Sequence, residues 1–73
     1  MNKVMNEIIE KLSELEHEQW VKWSQSVAHE VSPERRQRWE TYWISYNNLS
    51  ECVKEQDRIW ARKVLQIIEN NTK

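Results

Sequence analysis

Glycine and phenylalanine are both missing from this 73-residue chain, and cysteine and proline occur once each. Without glycine, the Gly-rich phosphate loops of dinucleotide-binding and P-loop sites are ruled out. Any phosphate would have to be held by side chains or by a helix N-terminus. The lone thiol, Cys52, excludes an internal disulfide and fits a reducing compartment, so a cytoplasmic protein is expected. Long apolar runs are absent as well. The opening MNKVMNEIIEKLSELE places acidic residues every few positions, unlike a signal peptide or a membrane span. Charge of one sign is also lacking: 11 basic and 12 acidic side chains leave a formal net charge of -1. Non-specific binding of a long polyanion needs a basic excess, so attraction for anions must come from local clusters.

What the chain has in plenty is indole. Five tryptophans and two tyrosines carry all of its aromatic area, so every ring brings a polar handle. A chain of this length makes one domain with one small core, and some of these rings must serve it. There is room for a shallow pocket and not for a deep enclosed active site.

Residues from Asn2 to about Glu30 contain neither proline nor glycine and are dense in Glu, Lys, Gln, Leu and Ile, which predicts one long helix or two nearly collinear ones. Val4, Ile8, Leu12 and Leu15 recur at helical spacing and are expected to be core. Trp20, Trp23, Val27 and Val31 continue the pattern on a face that has drifted round the axis. Because such a helix is longer than the rest of a domain this size, part of its first stripe is a candidate contact with another copy of the chain.

Ser32-Pro33-Glu34 marks the clearest boundary, with a capping serine, a proline suited to the first helical position and a glutamate at the positive end of the dipole. The second helix is predicted from Pro33 to about Trp43, with Trp39, Tyr42, Trp43 and Tyr46 forming one ring-bearing face. Arg35, Arg36 and Arg38 sit in its first turns, the unfavourable end for positive charge. They call for carboxylates from the other helices or for an external anion. Residues 44–49 read as a loop, and Ser50 or Asn48 caps a last helix reaching about Glu69. Its core stripe is Val53, Trp60, Val64 and Ile67, with Ala61, Leu65 and Ile68 beside it and Asp57 on the same face. A carboxylate there needs a donor, which His17 or an indole N–H could supply. The fold class is therefore all-α, a small three-helix domain with a long N-terminal helix, spanning residues 1–73.

Catalysis and metal binding find little purchase. His17 and Asp57 could pair, but no nucleophile is placed beside them by motif, and the reading is non-enzymatic. His17, His29 and Cys52 share no ligand spacing, so neither a metal nor another cofactor is expected. Arginines interleaved with aromatics, Arg35-Arg36-Gln37-Arg38-Trp39 and then Tyr42-Trp43, suit ring stacking plus phosphate contact. They equally suit arginine stems covering tryptophan faces while their heads meet glutamates.

Two stretches, LEHEQW at 15–20 and YNNLSECVKEQDRIWARKVL at 46–65, resemble the ryanodine-receptor-type (RyR) domain. In that family an H-E-x-W helix is followed by Y-x-x-L-[ST/P]-E-x-x-K-x-x-D-R-x-x-A. His17, Glu18, Trp20, Tyr46, Leu49, Ser50, Glu51, Lys54, Asp57, Arg58 and Ala61 fall on the pattern, which covers about two thirds of the chain. The likeness is greatest to short single-domain versions from bacteria and their phages. Between the motifs the family carries a glycine-containing W-x-Y-G-P segment, where this chain has a glycine-free helix. The resemblance implies a small helical module that holds nucleotide-derived ligands or serves as an interaction surface. In a phage protein, it implies capture of a host signal in the host cytoplasm.

These readings converge on a binding module for a small anionic, nucleotide-like or ADP-ribose-like ligand. Trp20, Trp23, Trp43 and Tyr46 are the candidate stacking rings, and Lys54, Arg58, Arg35 and Arg36 the candidate phosphate contacts. His17 and Asp57 would form a structural polar tie, and Trp39 and Trp60 would serve the core. The competing reading is a protein-interaction or structural adaptor that oligomerises through the N-terminal helix without a small ligand. Single-stranded nucleic acid is a third and lesser reading, and no membrane contact is expected.

Overall fold

A computed structural model of the chain describes residues 3–72. Helix α1, Lys3–Val27, passes into a 3-10 turn at Ala28–Glu30. Helix α2 covers Pro33–Glu40, a second 3-10 turn Tyr46–Asn48, and helix α3 Glu51–Asn71. No strand occurs among the described residues, and the all-α architecture with a long first helix is as the sequence predicts.

The helix starts follow from local chemistry. Ser32 accepts the Arg35 amide at 3.2 Å and Pro33 takes the first turn of α2, while Ser50 caps α3 by accepting the Val53 amide at 3.4 Å. Helix α2 stops at Glu40, short of the predicted Trp43. Beyond it come Thr41, Tyr42, Trp43 and Ile44, all branched or aromatic and poor helix formers. The Thr41 hydroxyl donates to the Arg38 carbonyl at 2.7 Å. Leaving the helix lets Trp43 donate its indole N–H to Ser24 at 2.9 Å, which a continued helix would have aimed elsewhere.

Helices α1 and α3 pack antiparallel as a hairpin-like pair, with Glu10 meeting Arg58 and His17 facing Asp57. Their seam buries Ile9, Ser13 and His17 on α1 against the side of α3 that bears Ala61, while Ser24, farther along α1, is buried beside Trp43. Ser13 and Ser24 tolerate full burial because each hydroxyl bonds a carbonyl of its own helix, Ile9 at 2.7 Å and Val21 at 3.1 Å. Leu49, Tyr46 and Ala28 complete the buried set.

Two expectations about the core are overturned. Val4, Ile8 and Leu15 are exposed, because the face of α1 turned to α3 is the one bearing Ile9, Ser13 and His17. Trp60 is 58% exposed, with Lys63 Nζ 4.4 Å above its ring, and Ile67 is exposed as well. With Ala61 in the seam, the helices approach on a small side chain, and the bulky positions of the predicted stripe are left outside.

Helix α2 does not lie close along the pair. It is attached through rings: Trp39 meets Trp20 edge to face at 6.0 Å and Trp23 at 5.8 Å, and Tyr42 meets Trp20 at 6.3 Å. These large spacers hold its backbone away from α1 and α3. The result is an elongated molecule, 47 × 24 × 14 Å, with a radius of gyration of 14.4 Å. A compact chain of this length would have roughly 11 Å.

Candidate functional site

The gap under α2 is a cleft of about 380 Å³. Helix α1 supplies His17 and Trp20 to it, α2 and its exit supply Arg38, Trp39 and Tyr42, and α3 supplies Val53, Gln56 and Asp57. Three rings thus wall a space whose floor carries a carboxylate and an amide. Arg35, Arg38 and Trp39 fall at i, i+3 and i+4 on one side of α2, and the turn after Glu40, in which the Tyr42 amide donates to the Trp39 carbonyl at 2.9 Å, brings Tyr42 to the same cleft as Arg38 and Trp39.

His17 is held firmly. It is buried, lies 6.2 Å from Trp20 in a near-parallel stack, and faces the Ile44 carbonyl from Nε2 at 2.7 Å. A carbonyl can only accept, so Nε2 carries a proton and donates. The other ring nitrogen stands 4.0 Å from the Asp57 carboxylate, beyond hydrogen-bond reach. Asp57 is half-buried, and loss of water pushes its carboxyl above the usual range, an effect that the His17 charge opposes and Glu16 reinforces. No protein donor reaches this carboxylate among the described residues, so its lone pairs are left to the cleft.

The basic residues divide. Arg36 bonds Glu40 at 3.1 Å along α2. Arg35 and Arg38 make no ion pair among the described residues. Arg58 is surrounded by carboxylates: Nε and one terminal nitrogen reach Glu10 Oε1 at 3.0 and 2.7 Å, and the other reaches Glu51 at 2.9 Å. Its guanidinium is held well above its ordinary pKa by these bonds, and Glu10 and Glu51 are held below theirs. Lys54 lies 5.4 Å over the Tyr46 ring and 3.6 Å from Glu51.

Of the rings and cations singled out in the sequence, the cleft therefore gathers Trp20 together with the His17 and Asp57 pair. Trp23 stands beside Trp39 at the outer edge of the ring cluster, and Arg35 shares the arginine face of α2. Trp43 is tied to Ser24. Tyr46 is buried with its hydroxyl donating to Glu10 at 2.5 Å. Arg58 and Lys54 stand by Glu10 and Tyr46, on the other flank of the α1–α3 pair. Arg38, Trp39 and Tyr42 belong to the arginine–aromatic run that suits stacking and phosphate contact but are not among the assigned contacts, and Gln56 carries no such signal. Arg38 and Trp39 are neighbours at the end of α2, and the turn closed on Trp39 brings Tyr42 beside them.

No protein-family model, curated protein or solved structure matches the chain.

Proposed function

We propose that the chain is a non-enzymatic binding module whose ring-walled cleft takes a small anionic ligand with a planar ring, nucleotide-like or ADP-ribose-like. The observation that carries this reading is the pairing of opposite needs in one place. Asp57 faces the cleft with unmet acceptors, and Arg38, which lines the same cleft from α2, has no carboxylate partner among the described residues. A base bearing N–H groups meets the first need and a phosphate the second, with Trp20, Trp39 and Tyr42 as stacking surface. The cleft volume lies at the small end of ligand pockets, which suits one base and its phosphates rather than a polymer. The RyR-type resemblance around His17 and Asp57 supports the same assignment, now with Arg38 in the phosphate role in place of Lys54 and Arg58.

Hydrolytic chemistry has no support in the cleft. One imidazole nitrogen donates to a backbone carbonyl, and the other faces a carboxylate rather than a hydroxyl or thiol.

The test is tryptophan fluorescence and thermal shift with ATP, ADP-ribose, NAD and cyclic nucleotides. Saturable quenching by at least one of them is expected, weakened at least tenfold by Arg38→Ala or Asp57→Asn and little changed by Arg36→Ala. Absence of any response at millimolar concentration sinks the proposal.

A further inference from the structure

Away from α2, the first half of α1 and the second half of α3 form a two-helix arm, and its bulky apolar residues do not face inward. Each helix of the arm carries two stripes. One, small and polar, makes the α1–α3 seam. The other, offset round the helix, consists of Ile8, Leu12 and Leu15 on α1 and Trp60, Val64 and Ile67 on α3, spaced three and four residues apart. At about 100° per residue, both outer stripes fall on the flank of the pair opposite the Glu10–Arg58 bonds, the flank that α2 covers farther along. Ile8, Leu15, Trp60 and Ile67 on this flank are exposed, and Leu12 and Val64 are half-buried.

We infer that this flank is a homodimer interface: two copies pair arm to arm, each donating α1 and α3 to a four-helix bundle. Each helix of a bundle touches two neighbours and so needs two contact faces: α1 and α3 meet each other through the small-residue seam, and each carries a second, apolar stripe beside it. Stripes at three- and four-residue spacing on an antiparallel pair make a surface that can meet its own copy about a two-fold axis.

The surface area points the same way. The chain exposes 5751 Å². A compact monomer of its mass would expose about 4,900 Å². The difference, about 850 Å², is close to the roughly 800 Å² that each partner buries in a standard interface. Buried apolar side chains are few among the described residues, namely Ile9, Ala28, Tyr46, Leu49 and Ala61, so the monomer has a thin core that the bundle would thicken. A net charge of -1 offers little long-range repulsion between copies. The inference stands independently of the ligand reading, since the cleft lies beyond the arm.

Sedimentation equilibrium from micromolar to submillimolar chain tests it. The wild type is expected at twice the 9.0 kDa chain mass. Ile8→Glu and Ile67→Glu should sediment as monomers with their helicity retained, since both positions are exposed within one chain. Ile59→Ser is the control: Ile59 is also exposed on α3 but points away from this flank, and that variant should remain a dimer. If a glutamate variant loses helicity, Ile67→Ala decides, with dimerisation weakened at least tenfold relative to Ile59→Ala. A wild type that stays monomeric over the whole range overturns the inference, as does a dimer indifferent to Ile8 and Ile67. A monomer that instead sediments with anionic lipid vesicles would assign the flank to a membrane surface and overturn it equally.

Discussion

His17 Nδ1 and the Asp57 carboxylate face each other across the α1–α3 interface at 4.0 Å, beyond the reach of a hydrogen bond. Asp57 consequently keeps the cost of its partial burial. Its carboxyl is pushed above the ordinary 3.8, so the folded chain binds that proton more tightly than the unfolded chain. In the window from 3.8 up to the raised value the folded state carries more protons. Stability from this group therefore falls as pH rises through that window. Asp57→Asn should match or exceed the wild type in urea denaturation at neutral pH, and the difference should vanish below pH 3.8. A variant clearly less stable at neutral pH would mean that the carboxylate is well paired after all.

Tyr46 behaves oppositely to a surface phenol. Burial, reinforced by its bond to the Glu10 carboxylate, pushes its hydroxyl up to about 12. Between the ordinary 10 and that value the folded chain keeps a proton that the unfolded chain has released, so stability declines across this alkaline window. A two-unit shift corresponds to about 3 kcal/mol. In Tyr42→Phe the remaining tyrosinate absorbance belongs to Tyr46 alone, and its rise is expected near pH 12 or at the point of unfolding. A midpoint near 10 with the fold intact would contradict the buried bond.

The two kinds of arginine should separate by what their loss affects. Arg58→Ala removes the hub joining Glu10 and Glu51 and should cost about 1–2 kcal/mol, less than a fully buried pair because both carboxylates keep water. Glu10 is held below its ordinary 4.5 by Arg58, so its contribution is complete above that pH and is lost as pH falls through the lowered value. The same variant should therefore flatten the acid limb of the stability profile. Arg38→Ala, on an exposed face, should stay within about 0.5 kcal/mol of the wild type. Denaturation curves of the two variants at pH 7 and pH 4 check this.

The seam between α1 and α3 was poorly legible because its residues do not look like core. Ser13 and Ala61 are fully buried there, as is Ser24 farther along α1; no hydrophobic period marks the serines, and Ala61 lies beside the predicted stripe rather than on it. Serine can be buried in a helix when its hydroxyl turns back on the preceding turn, a satisfaction invisible in the letters. Bulkier Val4, Ile8, Leu12 and Leu15 drew the eye to a face turned away from α3. Trp60 shares the helical spacing of Val53, Val64 and Ile67, but the ring stands outside the chain's own core.

Local chemistry was enough to set the three helices and where α2 and α3 begin. Capping by Ser32 and Ser50, Pro33 at a first turn and the absence of glycine act over three or four residues and depend on nothing farther away. The cleft was half visible, since His17, Trp20 and Asp57 stood out, while Arg38 was one arginine among several. Which arginine meets a carboxylate and which faces an opening depends on where α3 lies against α1 and how far the Trp20, Trp39 and Tyr42 rings hold α2 away. These are contacts between residues far apart in the chain. Their outcome is decided by side-chain volume and by competition for the same carboxylates, and neither has a period that a sequence can display.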